Sequence, residues 1–189
     1  SLEDGESATY KFEAIYHLQE AEDWTAVFNA YLKFMPGLIE GGMREVRELL
    51  ERFNPEGFSK AQLAELLVLR GDSHALNEDW ERALDDLGEA LSLKEQLNLK
   101  EDLAYLHSSI AQVQMNVKRW AETLKSHKNA LKLFEEVGDK RGMAKELIVV
   151  GMNYRRMRKF DKALEMYKRS MEILEELGDV SGIGAALNN

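Results

Sequence analysis

The 189-residue sequence contains no cysteine and only two prolines. It also has no apolar run of the roughly 18 residues that a membrane-spanning helix needs. Without cysteine there is neither a disulfide framework nor a thiolate metal site. The scarcity of proline leaves long stretches free to form uninterrupted helix. No charged-then-apolar secretory leader is visible, so the expected setting is cytoplasmic. A surplus of positive charge is missing too: the formal net charge is −9, which disfavours nucleic acid and anionic lipid as partners of the whole molecule. The balance is uneven, with 27 acids against 16 bases up to residue 140 and 7 against 9 beyond it.

Catalytic signatures are equally scarce. Neither Glu40-Gly41-Gly42-Met43 nor Ser181-Gly182-Ile183-Gly184 follows a strand, and neither has the lysine of a phosphate-binding loop. There is no Gly-x-Ser-x-Gly elbow. His17, His74, His107 and His127 fall on different segments without the His-Glu-x-x-His spacing of a zinc site. The patch Arg155-Arg156-Met157-Arg158-Lys159 is too isolated on an acidic chain to indicate nucleic-acid binding. The expectation is a non-enzyme with no cofactor and no metal.

What the sequence does have is leucine, alanine, glutamate and lysine in quantity, with 44% hydrophobic residues, a composition that favours an all-α fold. It also has a repeat. A step of 40 residues carries Gly71 to Ala111 to Gly151, Trp80 to Trp120 to Phe160, and Ala83 to Thr123 to Ala163. The same step carries Leu87 to His127 to Tyr167, Ala90 to Ala130 to Ser170, and Asn98 to Gly138 to Gly178. Periods of this size signify stacked antiparallel helix hairpins.

Taken in order, residues 1–7 form a polar start, with Ser1-Leu2 reading as a cloning scar. Residues 8–58 form degenerate capping helices at about 8–20, 23–35 and 38–53, with Pro36-Gly37 expected to stop the second and Asn54 to Gly57 to form a turn. Three repeats follow at about 59–98, 99–138 and 139–178. Their first helices lie near 60–77, 100–117 and 140–157, and their second near 79–97, 119–137 and 159–177. Ser59 is a candidate N-cap, and Gly138-Asp139 and Gly178-Asp179 each join a helix-ending glycine to a capping aspartate. The small residues Gly71, Ala111 and Gly151 mark close helix approach. Trp80, Trp120 and Phe160 are expected to be buried plugs worth about 3–5 kcal/mol each on truncation to alanine. Ala83 and Ala163, with Ala90, Ala130 and Ser170, should keep each second helix slim towards the next repeat. Residues 180–189 read as the start of a further, truncated repeat.

The sequence Gly151-x-x-Tyr154-x5-Phe160-x-x-Ala163-x3-Tyr167-x-x-Ser170 resembles the tetratricopeptide repeat, in a long-hairpin form of about 40 residues. The departures are His74 and Gln114 in the tyrosine column, Thr123 for alanine, and Arg158 where glycine is common. The resemblance implies a right-handed superhelical solenoid whose concave wall is made by the first helices. It implies a peptide or partner helix as ligand, and no catalysis. On that geometry the groove comprises Glu65, Val68 and Asp72, then Tyr105, Ser108, Gln112 and Met115, and finally Lys145, Ile148, Met152, Arg155, Arg156 and Lys159. It grades from acidic to basic, so the basic end should take an acidic segment, although bases at a helix C-terminus also suit its dipole. The lysine and asparagines of a chaperone-tail clamp are replaced by Val68, Asp72 and Ser109, with only Lys145 in agreement. The alternative reading is a ligand-sensing arm of a multidomain signalling ATPase or transcriptional regulator. The unfinished last helix could pair with a second copy.

Overall fold

A computed structural model describes residues 13, 15–18, 23–40 and 57–187. Every regular element among them is an α-helix, and the chain divides into two units, Ser1–Leu97 and Asn98–Asn189. The expected helix at 38–53 and the turn after it lie largely outside the described residues.

In the first unit, residues 15–18 are helical and α1 spans Trp24–Glu40. Contrary to expectation, α1 does not stop at Pro36-Gly37. A proline inside a helix removes a single N–H donor, and here the ladder resumes beyond it. Ile15, Val27 and Tyr31 are fully buried, and the Phe28 ring lies 6.5 Å from that of Phe58. Next come α2 (Lys60–Leu76) and α3 (Trp80–Gln96), an antiparallel hairpin. Ser59 opens α2 with a reciprocal cap: its hydroxyl accepts from Gln62 N–H (3.3 Å), and Gln62 Oε1 accepts from Ser59 N–H (3.0 Å).

The second unit holds two further hairpins, α4 (Lys100–Asn116) with α5 (Trp120–Val137), and α6 (Lys140–Arg156) with α7 (Phe160–Glu176), followed by α8 (Val180–Leu187). These boundaries follow the expected ones within a few residues. The core is built as successive clusters: Ala104, Ala130 and Phe134; then Val150, Tyr154, Ala163 and Tyr167; then Ala144, Leu174 and Ala186.

The hairpins close as tightly as the small residues require. A Cβ on Gly71 would stand 2.8 Å from Leu87 Cγ, and one on Gly151 would stand 2.5 Å from Tyr167 Cε1. Both distances are below van der Waals contact, so only glycine fits without displacement. Between helices the chain reverses through left-handed residues: Asn98 (φ 55°), Gly138 (75°) and Gly178 (67°) between repeats, and Glu78 (60°), Lys118 (60°) and Arg158 (58°) inside hairpins. After two of these, Asp139 and Asp179 accept from Gly142 N–H and Gly182 N–H, both at 2.9 Å. A second periodic device joins the start of each first helix to the end of its second: Lys60 to Gln96, Lys100 to Glu136 and Lys140 to Glu176, at 2.8, 2.8 and 2.7 Å.

One expectation about the second helices is corrected. Trp80, Trp120 and Phe160 do open α3, α5 and α7, but Trp80 is only partly buried, Trp120 is 41% exposed and Phe160 is 62% exposed. At the first helical position a side chain projects back over the turn and away from the packed stripe. Ser170 and Ala130 each meet the first helix of their own hairpin, and Met143 of the following hairpin packs against the Ala130 cluster as well. The Ser170 hydroxyl donates to Ala144 O (2.8 Å), and Ala130 meets Ala104.

Candidate functional site

The expected groove residues do not share one fate. In the first unit, Glu65 on α2 receives the buried Lys94 ammonium of α3, and Val68 is half-buried. Asp72 reaches solvent, yet the groups crowded around it remove enough water to push its carboxyl up to about 6. Beside it in sequence, Arg70 grips Asp86 through two hydrogen bonds of 2.8 and 2.6 Å, and His74 Nε2 lies 3.5 Å from the same carboxylate. His74, a departure from the repeat pattern, thus packs against a structural Arg70–Asp86 ion pair.

In the second unit, Tyr105 stays half exposed, but its ring and its hydroxyl are both engaged within the chain. Its ring meets Phe134 edge-on at 4.9 Å and its hydroxyl donates to Asp139 Oδ2 at 2.7 Å. That hydrogen bond, followed by partial burial and the charges of Asp139 and Glu101, raises its phenol above the usual range. Burial pushes the Asp139 carboxyl up, but hydrogen bonds from Gly142 N–H, Tyr105 and Arg141 N–H outweigh it and hold the group below its ordinary value.

Ser108 is also engaged inside the fold, in a network that the sequence reading missed. Its hydroxyl donates to Glu146 Oε2, while Glu146 Oε1 lies 2.5 Å from His127 Nδ1. Glu146 and His127 are almost wholly buried, at 2% and 1% exposure. The signal was present: Glu146 stands 40 residues from Leu106 and from Ala186, which are apolar, and His127 occupies an aromatic column. A serine, a carboxylate and an imidazole together suggest a nucleophile, but here the serine bonds the carboxylate and not the imidazole. His127 Nε2 has no hydrogen-bond partner among the described residues. General-base activation requires serine–imidazole contact, and this geometry instead ties α4, α5 and α6 together.

The exposed cations of the expected groove lie on α6 and in the turn that follows it. Lys145, Arg155, Arg156 and Lys159 are exposed, and Ile148 and Met152 are half-buried against the apolar clusters. On α4, Gln112 is exposed and Met115 is half-buried, its sulfur 2.9 Å from Arg156 Nη1. Between α6 and the start of α8 a cleft of about 600 Å³ opens, lined among others by Arg141, Lys145, Ile148, Leu174 and Asp179. Among the described residues, no three His, Asp or Glu side chains converge on a metal-sized site, and no helix is long and apolar enough to cross a membrane.

Comparison with known proteins agrees with this architecture. Residues 102–176 match the sequence profile of the tetratricopeptide repeat. No curated protein sequence matches. Aspartyl phosphate phosphatase F from Bacillus subtilis is 15% identical, with a TM-score of 0.65 over 96% of this chain and 43% of its own. The chain therefore spans less than half the length of that relative. YrrB, a tetratricopeptide repeat protein with an unusual peptide-binding site, is 17% identical, with a TM-score of 0.66 over 97% of this chain and 87% of its own. A signal-transduction ATPase with a tetratricopeptide repeat sensor from Pyrococcus horikoshii is 16% identical, with a TM-score of 0.70 over 93% of this chain and 26% of its own. At such identities the likeness is one of fold. The profile match makes residues 102–176 tetratricopeptide repeats, and the solved structures share the fold of the chain around them.

Proposed function

We propose that this chain is a protein-interaction module of a larger cytoplasmic regulatory protein, and that its second unit binds a partner's acidic segment along α6. The observation that carries the reading is the exposed basic row Lys145, Arg155, Arg156 and Lys159 beside the half-buried Ile148 and Met152. Cations on a rim steer an acidic ligand and set its salt dependence, while the apolar pair supplies desolvated contact. Repeats of this family typically serve as non-catalytic interaction scaffolds, and YrrB is described by its peptide-binding site.

The test is fluorescence anisotropy with a labelled polyglutamate-rich peptide. Native protein should bind it more weakly as salt rises. The double variant Arg155→Glu/Arg156→Glu should bind at least about tenfold more weakly at low salt, with a flatter salt dependence. Equal affinity and equal salt dependence in the two proteins would remove the reading.

A second reading rests on the likeness to the sensor-bearing ATPase, which has the highest TM-score of the three relatives described. There the module would be a sensing arm for a small ligand. Calorimetry with metabolite pools against the acidic peptide separates the two.

A further inference from the structure

The 40-residue step places two equivalent sites within the second unit, one filled and one open. At the first, Gly142 lies under Phe134 and Asp139: a Cβ there would stand 2.5 Å from Asp139 Oδ2 and 2.5 Å from Phe134 Cδ1. At the second, a Cβ on Gly182 would stand 2.6 Å from Leu174 Cδ2 and 3.0 Å from Asp179 Oδ2. Leu174 therefore replaces Phe134 and Asp179 replaces Asp139 in the same frame. Both aspartates spend Oδ1 on capping the following helix, at 2.9 Å.

The difference is what stands above them. At the first site Tyr105 lays its ring on Phe134 and donates its hydroxyl to Asp139 Oδ2. At the second the corresponding residue is Lys145, which is exposed, and the cleft of about 600 Å³ lies open. Asp179 Oδ2 has no hydrogen-bond donor among the described residues. The neighbouring charge is reversed as well: Glu101 at the first site becomes Arg141 at the second.

We propose that the cleft between α6 and α8 receives a tyrosine side chain of the partner's acidic segment, its ring against the half-buried Ile148 at the edge of the Leu174 cluster and its hydroxyl donating to Asp179. This rests on the acidic-segment reading and adds a residue-level specificity to it. Tyr105 shows that the frame accepts a phenol, with an apolar wall for the ring and a carboxylate oxygen for the hydroxyl. Arg141 and Lys145 are placed to take carboxylates flanking that tyrosine. The occupant is an aromatic donor and not an aliphatic side chain, because an aliphatic group would leave Asp179 Oδ2 covered and unpaired.

The probe is acetyl-Glu-Glu-Tyr-Glu-Glu, labelled through a Gly-Ser spacer, with otherwise identical peptides carrying phenylalanine or alanine at the centre. Native protein should bind the tyrosine peptide about tenfold more tightly than the alanine peptide, with phenylalanine between. Lys145→Tyr rebuilds the filled site, so it should raise the melting temperature and abolish the preference. Lys145→Ala leaves the cleft open and should weaken all three peptides while keeping their order. Equal binding of the three acidic peptides by native protein would overturn the tyrosine pocket and leave the acidic-segment reading standing. Binding of none of them would overturn both, and a preference that survives in a folded Lys145→Tyr protein would place the tyrosine elsewhere.

Discussion

Glu146 Oε1 lies 2.5 Å from His127 Nδ1 in the interior of the second unit, where the 40-residue step puts Tyr167 and Ala186 at the equivalent positions of the following interface. The two interfaces solve one packing problem with different chemistry. One is polar, through Ser108, His127 and Glu146. The other draws on Ile148 and Ala186 in a shared apolar cluster.

Removing one partner of the polar set strands the others. Glu146→Ala should cost about 3–5 kcal/mol, measured as a fall in the urea midpoint at constant slope. The triple variant Ser108→Ile/His127→Tyr/Glu146→Ala copies the neighbouring interface and should recover most of that loss. A triple variant no more stable than Glu146→Ala would show that the equivalence fails.

The glycine column should respond in a definite order. Gly151→Ala drives a methyl into the stiff Tyr167 ring, whereas Gly71→Ala meets the more adaptable Leu87 side chain. Both should destabilise, within the range of about 1–3 kcal/mol typical of overpacking, with Gly151 the more costly. Thermal melts of the two single variants decide it, and the reverse order would count against the packing account.

Arg158 holds a left-handed conformation that glycine adopts freely. Arg158→Gly should raise stability by up to about 1 kcal/mol, the relief of left-handed strain less the entropy that glycine adds to the unfolded chain. Gly138→Ala should lower it by about 1 kcal/mol for the converse reason. Chemical denaturation of the pair should move in opposite directions.

Asp72 gives a pH signature. Its carboxyl is raised to about 6 in the folded protein from an ordinary 3.8, so the fold favours the neutral acid. The associated stability is fully present below the ordinary value and is lost as pH rises through the folded one. Asp72→Asn should therefore melt a little higher than native protein at pH 8, with the gap closing as the pH is brought below 4. Because the side chain also meets solvent, the gain should be small. A gap independent of pH would assign the effect to something other than the charge.

The fold was legible because its rules are local and repeated. Glycine before aspartate, a small residue opposite a large one and a serine ahead of Gln62 each fix a helix end or a helix contact. The aromatics Trp120 and Phe160 misled because identity at a repeated position reports register, while burial depends on which way a first-turn side chain points. Pro36 misled because a proline's cost can be carried by a helix that is otherwise intact. The groove was less legible than the fold. Nothing in the α4 stripe distinguishes Tyr105 and Ser108, which bond to groups of their own chain, from Gln112, which stays outside. That distinction depends on Asp139 and Glu146, each more than 30 residues further along the chain.

From Glu78 to Gly178 the backbone turns left-handed at every twentieth residue, so each helix spans the same count between reversals. Such a cadence makes the chain intolerant of length changes in one place and forgiving in another. A single residue inserted within a helix would rotate all that follows it by about 100°, exchanging the inward row for the outward one. The same residue inserted beside a reversal could be looped out without disturbing phase. Natural length variants of this module should therefore differ at residues 78, 98, 118, 138, 158 or 178, or by whole forty-residue cassettes.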